Sequence, residues 1–133
     1  MQLEPGTVLA PTTPGQLLDR ITILRIKVDR VADDARRRVV ASELNELVRI
    51  FAGAVPDPSA LAAMVDELQK VNGELWEVED QLRQCESNKD FGAFFVELAR
   101  SVYRLNDRRY EIKRQIDVAL GSLLPEQKIY KLL

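Results

Sequence analysis

Residues 98–116 read LARSVYRLNDRRYEIKRQI. Leu98, Val102, Leu105, Ile112 and Ile116 recur at the three- and four-residue spacings of one helical face, and no alternating strand pattern competes. Arg109 interrupts that face. At 100° per residue it lies within about 20° of the centre of the apolar stripe, where a leucine is expected. Asn106 and Lys113 flank it. A permanent charge on the packing face needs a partner, because an unpaired guanidinium is too costly to bury.

The same periodicity organises the rest of the chain. Upstream, Phe91 and Phe95 extend the stripe, Asp90 is the expected cap, and Ser87-Asn88-Lys89 reads as a tight turn. Before that turn, Leu61, Val65, Leu68, Val71, Leu75, Val78 and Leu82 mark a second long helix, opened by Pro58 or Ser59. Val55-Pro56-Asp57-Pro58-Ser59 breaks the chain ahead of it. Val40, Leu44, Leu47 and Phe51 mark another helix, ending near Gly53. The first helix starts at a capping signal, Thr13 with Pro14 and Gln16, and carries Leu17, Ile21, Leu24, Val28 and Val31. A break over residues 32–34 leaves an aspartate to cap the next helix. Arg36, Arg37 and Arg38 then read as a helix start facing water.

These elements predict an all-α protein: a small bundle of about four helices built on a long antiparallel hairpin of helices 3 and 4. At 133 residues the chain is one domain's worth, with an irregular segment over 1–12 and a tail over 122–133, beyond Gly121, that docks on the bundle or on a partner.

Composition narrows the function. The net charge of −2, with acids and bases interspersed, excludes the concentrated basic field that nucleic-acid binding or a polybasic membrane surface needs. No apolar run has the length of a membrane span. One cysteine, Cys85, allows no internal disulfide; it sits off the apolar stripe and reads as a plain surface or half-buried thiol. The start MQLEPGTVLAPTTPG does not read as a signal peptide, so the expected compartment is the cytoplasm. The absence of histidine removes Ser-His and Cys-His catalysis and histidine metal sites. No glycine-rich phosphate loop is present. Glu77, Glu79 and Asp80 read as a solvated acidic face, and neither a metal site nor a cofactor is expected.

The polar residues on packing faces are the candidate network or anion pocket: Asp19, Arg20, Asn72, Glu79, Arg83, Asn106, Arg109 and Lys113. An antiparallel hairpin turning near residue 89 pairs positions whose numbers sum to roughly 178. Asn72 then faces Asn106, and Arg109 faces Leu68 and Gln69. Glu79, placed near the centre of its own stripe, falls near Leu98 and pairs with Arg83 at i,i+4 rather than with Arg109. Arg109 is left with three outcomes: snorkelling out, pairing with a first-helix acid such as Asp19 or Asp29, or holding a small anionic ligand between helices.

A second stripe on the fourth helix, Ala99, Tyr103, Asn106, Tyr110, Lys113 and Asp117, resembles a contact surface. Ile23 and Ile26 form a back patch on the first helix. The candidate interface is therefore Ile23, Ile26, Ala99, Tyr103 and Tyr110, serving a homodimer or a partner protein.

TPGQLLDRITILRIK (13–27), VNGELWEVEDQLRQCE (71–86) and FVELARSVYRLNDRRYEIKRQI (95–116) resemble a family of short, uncharacterised bacterial proteins, over about Thr13 to Tyr130. The resemblance implies genes close to those for sugar transfer and surface polysaccharide, and carries no catalytic residues. The leading expectation is a cytoplasmic helical interaction module that is not an enzyme. The alternative is a small-molecule site between helices. It would be an anionic-metabolite or sugar-phosphate binder, or a histidine-free enzyme of the chorismate-mutase type using Arg20, Arg83, Arg109, Lys113 and Glu79.

Overall fold

In the computed structural model, which describes residues 4–121, the Thr13 hydroxyl accepts a hydrogen bond from the Gln16 N–H at 3.2 Å. Pro14 takes the first helical position, and α1 runs Pro14–Arg30. Val31 is extended and ends it. Asp33 caps α2 (Asp34–Ala54) by accepting from the Ala35 N–H at 3.0 Å. Arg37 does not face water as expected. Its guanidinium turns back to the carbonyls of Val28 (3.3 Å) and Val31 (2.5 Å) and pairs with Asp34 at 2.9 Å. The last carbonyls of a helix lack helical partners and attract a cation, which explains the reversal.

Beyond buried Val55, the Asp57 carboxylate accepts from the Ser59 N–H (3.2 Å) and hydroxyl (2.7 Å). A single 3-10 turn, Ser59–Leu61, leads into α3 (Ala62–Ser87). The chain bends by 117° between α2 and the Ser59–Ser87 run. α3 ends where Lys89 adopts a left-handed φ of 52°, with Asp90 N–H bonded to Cys85 O at 2.8 Å. α4 spans Ala93–Ala119, and Gly92 rather than Asp90 is its cap. Asp90 instead accepts from the Gly92 N–H at 3.2 Å, so Phe91 stands outside the helix, half exposed, with its ring edge-on to Phe95.

α3 and α4 form the expected antiparallel hairpin, with Arg108 reaching Glu67 at 3.1 Å, close to the predicted register. Leu61 of the 3-10 turn and Leu68, Val71 and Leu75 of α3 meet Ile112 and Ile116 of α4, and Leu18 and Ile21 of α1 close the core. No strand occurs among the described residues, and no single described helix is long and apolar enough to cross a membrane. The tail expected to dock, residues 122–133, lies outside the described residues.

α1 lies along the hairpin, parallel to α3 and antiparallel to α4, and ends level with Glu77, which Arg30 pairs. Past that level the hairpin, among the described residues, is two helices thick. There Glu79, expected near a packing face, is exposed, because its stripe meets no third helix among the described residues. Cys85, expected nearer the surface, is buried where the two helices close on each other at the turn, as is Leu98. Among the described long helices, α2 leans substantially on α1 alone. Leu44, Leu47 and Phe51 cover the edge of the core, yet the described residues bury none of the 21 in this helix.

The first turn of α1 presses against α4. A Cβ on Gly15 would stand 2.5 Å from the Lys113 carbonyl oxygen and 2.8 Å from Asp117 Oδ1. A Cβ on Gly73, inside α3, would meet no atom within 4 Å. Gly15→Ala should therefore destabilise by about 1–3 kcal/mol, and Gly73→Ala should stabilise by about 0.5–1 kcal/mol. Urea unfolding of both variants checks the pair; equal effects would contradict the close approach at Gly15.

Candidate functional site

Asp19 sits on the second turn of α1 and points into the hairpin, 6% exposed. Its Oδ1 accepts from Arg109 Nε at 2.8 Å and its Oδ2 from the Arg109 terminal nitrogen at 2.5 Å, a two-pronged pair between α1 and α4. Asn72 joins from α3. Its amide gives one hydrogen to Asp19 Oδ1 and one to the Thr22 hydroxyl, each at 2.9 Å. Thr22, fully buried, donates in turn to the Asp19 carbonyl at 2.8 Å. Asn106 accepts from the remaining Arg109 nitrogen at a longer 3.4 Å. Three helices thus meet in one polar layer.

Electrostatics match this geometry. Burial alone pushes the Asp19 carboxyl up. The hydrogen bonds from Arg109 and Asn72, with the charges of Arg109 and Lys113, outweigh it and hold the group below its ordinary value of 3.8. Arg109 keeps 29% of its side chain exposed against 9% for Asp19, so the arginine reaches the surface and the acid does not.

One turn of α1 away lies a second polar contact. Asp117, fully buried, accepts from the Gly15 N–H at 2.7 Å and so caps the first turn of α1 from another helix. Its Oδ2 has no hydrogen-bond partner among the described residues. Lys113 is buried beside it.

Of the residues proposed from sequence, the structure brings together Asp19, Asn72, Asn106, Arg109 and Lys113. Arg20 lies elsewhere, paired across to Glu43 of α2 at 2.7 Å. Arg83 and Glu79 stand past the end of α1, exposed, with Arg83 on Asp80 at 2.9 Å. The arginines needed for a chorismate-mutase-type pocket therefore do not converge, and the fork of Arg109 is taken by Asp19. The second stripe of α4 is met by α1 at Asp117, leaving Ala99 exposed, Tyr103 at its upper end 38% exposed and Tyr110 half-buried. Ile26 is buried and Ile23 half-buried. Sequence reasoning missed Thr22 and Gly15, and it left Asp117 as one member of the second stripe rather than a site residue. Among the described residues no acid or thiol cluster could hold a metal ion.

An apolar groove opens where α2 and α3 diverge, with a volume of about 510 Å³. Leu18 and Ile21 floor it, Val48, Phe51 and Ala52 form one wall, and Ala62 and Val65 form the other. Arg25 and Asp66 mark its rims.

Over residues 11–132 the chain matches the model of a family of unknown function, DUF6165, and it belongs to that family. No curated protein and no solved structure matches it.

Removing Arg109 strands a buried acid, whereas neutralising Asp19 strands an arginine that reaches water. Arg109→Leu should cost about 3 kcal/mol and Asp19→Asn about 1 kcal/mol in urea unfolding. Because the folded-state value of Asp19 lies below the unfolded one, its contribution is complete above about pH 5 and is lost as the pH falls through 3.8 toward the depressed value. Asp19→Asn should flatten that limb of the stability–pH curve; an unchanged limb would contradict the assignment.

Proposed function

We propose that this member of DUF6165 is a protein–protein interaction module, in which a clasped core of α1, α3 and α4 carries α2 as a docking helix beside the apolar groove. The observation that carries the reading is α2 itself: 21 residues, none buried by the described residues, leaning on one neighbour among the long helices. Helices in proteins are held mainly by packing of an apolar face, so one with this little cover has a face to spare. Val39, Val48 and Ile50 remain 71%, 39% and 44% exposed along it.

The chemistry of the core supports the same reading. There is no histidine, and the one thiol is buried. Arg109 would have to abandon Asp19 to hold an anion, which would deprive a buried carboxylate of both guanidinium hydrogen bonds. Cytoplasmic placement and a partner in envelope-polysaccharide synthesis are the further parts of the proposal, and they rest on the composition and on the family resemblance.

A photo-crosslinking amino acid at Ala52, in living cells, tests this. A protein adduct that Val48→Glu abolishes is expected, together with an unchanged melting temperature in sugar phosphates and nucleotide sugars. Absence of any protein adduct overturns the reading. So does a melting temperature raised by such an anion in the wild type and not in Arg109→Leu.

A further inference from the structure

We infer that the groove is filled by α2 of a second copy of this chain, giving a two-fold dimer in which the two α2 helices run antiparallel. The inference rests on the interaction-module reading and names its partner.

Shape supports it first. The groove is floored by one helix and walled by two, and it opens because the chain bends by 117° between its walls. Among the described residues, that is the space of one further helix of a bundle. Its occupant must present a narrow line of short side chains, and α2 carries one. Ala41, Asn45, Val48 and Ala52 recur at spacings of four, three and four, on a flank of α2 roughly 100° round from the face of Leu44, Leu47 and Phe51. Val48 and Ala52 already form the groove wall, and Ala41 and Asn45 continue the line beyond it along an open surface hollow beside Arg38. Small residues there let helix axes approach to about 8 Å.

Self-complementarity supports it second. When two such lines meet antiparallel, Ala41 of one copy faces Ala52 of the other, and Asn45 faces Val48. Each chain carries both the groove and a helix that fits it, so a single isologous contact fills both grooves. Charge agrees: Arg38 lies on the edge of α2 beside this line, and Asp66 lies on the opposite groove wall.

Two measurements test the inference on the full chain. Light-scattering mass from low micromolar concentration upward should give two chains, falling to one with Val48→Glu at unchanged helix content. Arg38→Glu should weaken the dimer, and adding Asp66→Arg should restore it. Under oxidation, a mixture of Ala41→Cys and Ala52→Cys chains should form crosslinked dimers that neither variant forms alone; Cys85, 5% exposed, stays silent. A monomer at every concentration overturns the inference. If the Ala52 photo-crosslinker then still captures a different protein, the module reading survives without it. A dimer indifferent to Val48→Glu, or crosslinks formed equally by the single variants, also overturns it.

Discussion

One carboxylate decides how three helices sit together. Asp19 leaves α1, enters the seam between α3 and α4, and cannot be satisfied by water, so it requires Arg109 on one side and Asn72 on the other. Such a buried pair adds little net stability over a well-packed apolar substitute, because desolvation offsets most of the attraction. What it adds is discrimination. Sliding α1 by one turn along the hairpin would leave both the acid and the asparagine unpaired, whereas leucines would repack. Asp117 reinforces the same register by accepting from Gly15 at the first turn of α1, where only a glycine permits the approach.

Much of this was legible in the residues. The helices, their order and the hairpin follow from periodicity and breakers, and the hairpin register separated Arg109 from Glu79 and left a first-helix acid, Asp19 or Asp29, as one of its three outcomes. Thr22 was not legible, because a threonine one turn beyond Asp19 has no signature until Asn72 arrives from a distant helix. Gly15 and Asp117 meet across 102 residues, and nothing local in either marks the contact. The placement of Glu79 failed for a different reason. A helical wheel assumes a neighbour at every turn, and α1 ends before Glu79 is reached. The environment of Cys85 was misjudged at the same end of the hairpin, where close approach of two helices buries a thiol without a third.

The second helix is the instructive case. Val40, Leu44, Leu47 and Phe51 give α2 the pattern of a core helix, and no feature of that pattern says how many neighbours it meets. Only the fold shows that α1 is its one substantial support among the described helices and that the bend at Val55–Pro58 holds α3 away. The described molecule therefore divides into a part whose register is set by buried polar contacts and a part whose packing is incomplete. Proteins place binding surfaces at such low-cover elements, since partners must find apolar area that the core has not consumed.

Hydrogen exchange followed as a function of protein concentration is the sharpest test of that division. Amides of α1, α3 and α4 around Asp19, Asn72 and Arg109 should exchange slowly at every concentration, while those of α2 should exchange fast when dilute and slow as copies assemble. Protection of α2 equal to that of the core at the lowest concentration, and independent of concentration, would contradict it.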